Sequence, residues 1–363
     1  MPQPVSIGGA PVVALTTVDP PPAGPAFLSA EVMPGRGFAL LRAGLRLPSG
    51  AIVDGVQGPA PAEAAEVLDG GPDDFAGNKV FSFGGAILAP YANRVTGREV
   101  PGAREIETRI GGKTVRLPRN WGGRTPGAAQ YAMHGLILDT PVPYEQSSPD
   151  RVAGRLDAGD FGGHWPSRTE LAFAWRLDGG ALALEIIARN VGDEPLPIGL
   201  GWHPYFAIPS GRRDQARLRL PAAQRVEVGD YDQVLPTGRL LPTAGTAYNF
   251  NGQDGAALGD LYLDDCFTGL ARENGRAVVE LLDPAAGVGL RITSPTPQVQ
   301  AIQVYAPPGD GFVAIEPQFN LADPFNDIWP AGVNTGMARL APGEILTYQV
   351  RVEPFPLRNP TGS

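Results

Sequence analysis

"TELAFAWRL" (169–177), "DGG" (178–180) and "ALALEIIARN" (181–190) follow one another without a gap, and how they are read decides the fold. In the first run Leu171, Phe173, Trp175 and Leu177 alternate with Glu170, Ala172, Ala174 and Arg176. A period of two is that of a strand with one buried face. The Asp-Gly-Gly stretch is a hairpin signal, and the apolar-rich run after it is the returning strand. Similar short runs recur downstream: "AVVELLD" (277–283), "VGLRITS" (288–294), "QAIQVYAP" (300–307), "GFVAIEP" (311–317) and "ILTYQVRVEPF" (345–355). The 48 glycines and 39 prolines are spread between such runs as turn punctuation. Helical periodicity is scarce, and "APAEAAEVL" (60–68) is the best short-helix candidate. The expected fold is mainly β: a large antiparallel two-sheet β-sandwich with long loops. The first 25 residues read as a loosely structured or edge-wrapping arm, residues 26–355 as one domain without a linker, and 356–363 as a frayed tail.

Composition bounds the function. With 363 residues, 43% hydrophobic and 18% charged, the chain can bury a large core without disulfides. A net charge of −9 and a pI near 5.0 argue against nucleic acid, whose partners present basic patches. Cys266 is the single cysteine, which excludes an intrachain disulfide and any multi-cysteine metal centre. No run approaches a membrane span and no signal peptide is visible, so the expected location is cytoplasmic. Phosphate-binding loops, dinucleotide fingerprints, the Gly-x-Ser-x-Gly elbow and His-Glu-x-x-His are all missing from the sequence. His134, His164 and His203 lie far apart, so a histidine-rich metal site would need all three to converge.

Five segments set polar or titratable residues in apolar, glycine-punctuated surroundings: "PYANRVTG" with Arg94, "YAMHGLI" with His134, "GWHPYF" with His203, "YLDDCF" with Asp264 and Asp265, and "VAIEPQFN" with Glu316. Each has a plain structural reading. Arg94 can pair at a surface, His134 can serve a tight turn, His203 can pack among aromatics, and the two aspartates can end a strand. Glu316 resists this, because it follows "FVAI" and precedes Pro317, where a carboxylate is costly unless paired or used. Together the segments supply an acid, a base and hydrogen-bonding side chains.

These segments, in this order, resemble those of the aldose 1-epimerases (galactose mutarotases). "PYANRVTG" is similar to the family's arginine segment, "GGKTVRLPRN" (111–120) to its following strand, "MHGL" to its His-Gly-Gly, "WHPYFAIP" to its His-Pro-Tyr-Phe, "LDDCF" to its aspartate segment and "EPQFNLADPFN" to its glutamate segment. The resemblance covers roughly residues 80–350. It implies a β-supersandwich that interconverts the α and β anomers of a free hexose such as galactose or glucose, as a monomer or homodimer, with no metal and no cofactor. It also implies roles: Glu316 as base, His203 as acid, Arg94 and His134 near the ring oxygen and neighbouring hydroxyls, and Asp264 on sugar hydroxyls. Gln303 resembles the family's substrate-contacting glutamine. Leu136 departs from the second glycine of the histidine motif, and Ala207-Ile208 from the usual continuation of the other, which puts the sugar's identity more in question than the chemistry. Three rival readings stay open: an epimerase of phosphorylated hexoses, with Arg116, Arg119 and Arg124 on the phosphate; a non-catalytic carbohydrate-binding protein; and a polysaccharide-active enzyme using Asp264 with Glu316 as a carboxylate pair.

Overall fold

The computed structural model describes residues 4–71 and 74–357 of the chain. The hairpin read from the sequence is there: Thr169–Asp178 pairs antiparallel with Ala181–Asn190, in a register that sets Asp178 against Ala181 and Thr169 against Asn190. Leu171, Phe173, Trp175 and Leu177 are all buried, as the alternation requires. This hairpin belongs to a ten-stranded sheet that also takes in Ile345–Pro356, Val288–Ser294 and Arg276–Asp283.

A second, eleven-stranded sheet faces it. Its middle runs Leu263–Leu270, Ala301–Ala306, Phe312–Gln318, Gly201–Ala207, Ile52–Val56 and Ala39–Arg46, each hydrogen-bonded to the next. The two sheets enclose one large apolar core, in which Trp175 of the first sheet meets Trp202 of the second edge to face, with ring centroids 5.4 Å apart. Among the described residues four smaller sheets and long connections lie outside this pair, as does the helix Pro61–Asp69, close to the span expected. No helix among the described residues is long and apolar enough to cross a membrane.

Of the first 25 residues, Ser6–Ile7 and Ala10–Pro11 form a small hairpin, and Val13–Thr16 pairs with Ala26–Met33 as the edge strand of the larger sheet. At the other end Ile345–Pro356 is the longest strand, and residues 358–363 of the expected tail lie outside the described residues.

The strand Gly201–Ala207 positions the site. Trp202 and Phe206 point into the inter-sheet core, so alternation turns His203 and Tyr205 to the opposite face. That face is not open to solvent, because loops and the short strands Arg94–Val95, Trp121–Gly122 and Gln130–Met133 cover it and leave a cavity between.

Candidate active site

The register of the larger sheet builds the cavity floor. Gly201 pairs with Gln318 and Tyr205 with Ala314, which brings His203 opposite Glu316. Gln303 pairs with Glu316, and Asp264 with Tyr305, so His203, Glu316, Gln303 and Asp264 share one face of four adjacent strands. Above them the cavity, about 460 Å³, is walled by Phe81, Trp121, Tyr231, Tyr262, Tyr305 and Phe312. No sequence pattern singles these aromatics out, since they come from separate loops and strands. Arg94 and His134 enter from the covering segments, paired through Met133 and Arg94 on adjacent short strands.

His203 Nε2 lies 3.3 Å from Glu316 Oε1, with side chains only 6% and 1% exposed. The His203 ring stacks on Tyr205 at 5.0 Å, and His134 stands edge-on to it, also at 5.0 Å. Neither ring nitrogen of His134, nor His203 Nδ1, nor Glu316 Oε2 has a hydrogen-bond partner among the described residues. Burial pushes the Glu316 carboxyl well above the usual carboxylate range, with Asp264 adding to the rise and Arg94 opposing it. Burial likewise pushes both imidazoles down, helped at His134 by His203 and Arg94 and at His203 by Arg94.

Arg94 and Asp264 are tied into a closed ring of four side chains. Asn93 Oδ1 accepts from Arg94 Nη1 at 3.0 Å, and Asn93 Nδ2 donates to Gln303 Oε1 at 2.9 Å. Gln303 Nε2 donates to Asp264 Oδ1 at 2.6 Å, and Arg94 Nη2 closes the ring on Asp264 Oδ2 at 3.4 Å. Asn93 sits at φ 62, a left-handed conformation that asparagine tolerates, and this turns its amide back onto its neighbours. Asn93 stands beside Arg94 in "PYANRVTG", and only its backbone conformation in the fold marks it as part of the site.

The structure separates the two aspartates. Asp264 lines the cavity, whereas Asp265 faces the other side of the strand, 2.8 Å from Arg225 Nη1 and 3.1 Å from the Tyr231 hydroxyl. Asp265 also accepts the Asp264 backbone N–H at 3.2 Å, so it braces the strand at that point. Its carboxyl is pushed up to about 6 by burial, with Arg225 opposing.

All six residues singled out in the sequence, Arg94, His134, His203, Asp264, Gln303 and Glu316, line this one cavity. His164 does not join them: it is half-buried outside the cavity, and its Nδ1 lies 2.6 Å from the Arg116 carbonyl. Of the three arginines considered for a phosphate, Arg116 pairs with Glu105 and Glu107 and Arg119 with Glu99, and only Arg124 lines the cavity.

Solved structures with the same fold include a galactose mutarotase-like protein from Clostridium acetobutylicum, 17% identical, covering 91% of this chain and 93% of its own, TM-score 0.69. An aldose epimerase homologue from C. elegans is 19% identical, with 96% and 99% covered and TM-score 0.69. A galactose 1-epimerase from Lactobacillus acidophilus is 19% identical, with 96% and 98% covered and TM-score 0.62. Comparison with proteins of curated function gives no match. At these identities the structural likeness speaks for the fold, while the sequence profile of the aldose 1-epimerases matches residues 47–353. Covered over most of its length by that profile and folded like these proteins, the chain belongs to the aldose 1-epimerase family.

Proposed function

We propose that the protein is a mutarotase that interconverts the anomers of a free aldose by acid–base ring opening, with Glu316 as base and His203 as acid. The observation that carries this reading is the 3.3 Å approach of His203 Nε2 to Glu316 Oε1 on the floor of a cavity large enough for a hexose. Glu316 takes the proton of the anomeric hydroxyl while the C1–O5 bond breaks and His203 delivers a proton to O5. The sugar is then an open-chain aldehyde, Glu316 is protonated and His203 is neutral. Rotation about C1–C2 presents the other carbonyl face, and closure returns both protons.

The pair therefore holds one proton throughout, and only its position changes. Burial acts on that position. It favours the protonated carboxyl beside the neutral imidazole, which is the state that accompanies the open-chain sugar. Ring opening starts from the other arrangement, carboxylate beside imidazolium, which the 3.3 Å contact makes accessible. Arg94, His134, Asp264 and Gln303 supply donors and acceptors for the ring oxygen and hydroxyls, and the tyrosine and phenylalanine walls offer apolar faces to C–H bonds.

A free sugar fits better than a phosphorylated one, because two of the three arginines that could take a phosphate are engaged by glutamates. A polysaccharide-cleaving carboxylate pair is disfavoured, since both oxygens of Asp264 are held, by Gln303 and by Arg94. A purely binding role leaves the buried acid–base pair without a use.

The test is polarimetry of freshly dissolved α-D-galactose and α-D-glucose, with glucose 6-phosphate alongside. Acceleration of either free sugar that falls about 10²–10⁴-fold in Glu316→Gln is expected. Acceleration confined to the phosphate would replace the substrate class, and acceleration untouched by Glu316→Gln would remove the role assigned to Glu316.

A further inference from the structure

The three side chains on the cavity floor also compose a metal-ligand set. His134, His203 and Glu316 are all buried, and each offers a ligand atom lying within 4.8 Å of the other two. Two imidazoles and one carboxylate are the protein donors of His₂Glu zinc centres, which leave a fourth position to water or substrate. With zinc bonds of about 2.0–2.1 Å, two ligands of a tetrahedron stand roughly 3.4 Å apart. The His203 Nε2 to Glu316 Oε1 distance of 3.3 Å is already that edge. His134 is the member that must close in, through rotation of its ring.

A second observation points the same way. His134 is 1% exposed, yet neither of its nitrogens has a hydrogen-bond partner among the described residues, and Glu316 Oε2 is also unpartnered. Buried polar atoms without partners are costly, so groups left in this state face something they can bind. A sugar hydroxyl satisfies them one at a time, whereas a cation satisfies all three side chains at once. The positive charge nearest the cluster, Arg94, is countered by Asp264.

We propose that His134, His203 and Glu316 bind a divalent zinc-type cation, and that this ion occupies the cavity floor in competition with the sugar, so that the protein is reversibly inhibited by metal. Binding follows from the ligand set alone. The inhibition rests on the mutarotase reading, because an ion held by Glu316 and His203 removes both the base and the acid.

The test uses the full chain, treated with EDTA and freed of chelator. Cobalt(II) is titrated with the visible spectrum as readout, and zinc(II) by calorimetry. One saturable site with the intense visible bands of four-coordinate cobalt is expected. His134→Asn should weaken it beyond the about 10–100-fold typical of changes outside the ligand set. Asparagine tolerates the left-handed backbone of residue 134, at φ 63, so this variant keeps the loop; Glu316→Gln is the second probe, and His164→Ala, outside the cavity, should bind as the wild type does. The absence of cobalt bands, or unchanged affinity in His134→Asn, overturns the metal site. On the EDTA-treated chain, mutarotation should run at full rate and fall as zinc is added, with galactose relieving the block. Stimulation by zinc would overturn the inhibition. If the chelated chain turns over no sugar while the cobalt site is present, the mutarotase reading and the inhibition fall and the metal site stands.

Discussion

A carboxyl and an imidazole 3.3 Å apart, both nearly sealed from solvent, share one proton more readily than they carry two or none. The pH dependence of kcat/KM should therefore be a bell. The acid limb marks entry of a second proton and lies below the ordinary histidine range, because burial lowers the affinity of His203 for it. The alkaline limb marks loss of the one shared proton and lies above the ordinary carboxylate range, because burial raises the affinity of Glu316. A rate that rises monotonically with pH would show that no acid is needed. The same shift has a consequence for stability. A carboxyl bound to its proton more tightly in the folded than in the unfolded chain loses stability as pH rises above its unfolded value, since the unfolded chain then sheds the proton first. Glu316→Gln should accordingly be inactive yet melt higher than the wild type at pH 8, with the difference shrinking as pH falls below the ordinary carboxylate range. Melting curves by circular dichroism at several pH values check the sign.

At the scale of elements, strand register and one tight turn make the site. A one-residue slip of Gly201–Ala207 would send Trp202 into the cavity and His203 into the apolar core, so the packing of Trp202 and Phe206 is what keeps His203 in place. His134 depends on the turn at 134–135. Both residues have positive φ, and a Cβ built on Gly135 would stand 2.2 Å from the Ala89 carbonyl oxygen. Leu136, which replaces the family's second glycine, has no such demand: it is partly buried and packs on the core. The first glycine of the motif is the one the backbone needs. Gly135→Ala should therefore push the turn away from Ala89 and displace His134, cutting kcat/KM by about 100-fold if the ring moves by an ångström. Leu136→Gly should leave the rate near that of the wild type. Polarimetry on the two variants side by side decides, and equal losses would mean that the turn is not the controlling feature.

At the scale of the whole molecule, the two sheets are held by large side chains meeting across the core. Trp175 is fully buried, contacts Trp202 at 5.4 Å and donates its indole N–H to the Phe38 carbonyl at 2.9 Å. Trp175→Ala removes both the packing and the partner of that carbonyl, and should cost about 3–5 kcal/mol. Denaturant midpoints read the loss. Because Trp202 shares its strand with His203, the less drastic Trp175→Phe should also be assayed under strongly native conditions. A normal rate there would show that the indole serves stability alone, and a lowered rate would show that cross-sheet packing tunes the position of His203.

The sequence by itself determined the strand period at 169–190 and the helix near 61–69, because alternation and turn chemistry are local. Its motifs, through their family resemblance, pointed to Arg94, His134, His203, Gln303 and Glu316 and to the Asp264–Asp265 pair. It could not determine which face of Gly201–Ala207 or Phe312–Gln318 looks into the cavity. Both faces of these strands are buried, so polarity along them carries no inside and outside. The choice between Asp264 and Asp265, the ring through Asn93, the aromatic walls and the meeting of His134 with His203 were decided only by tertiary structure. Each depends on register or packing between segments far apart in the chain, and adjacent residues of one strand point opposite ways until a partner strand fixes which way is in.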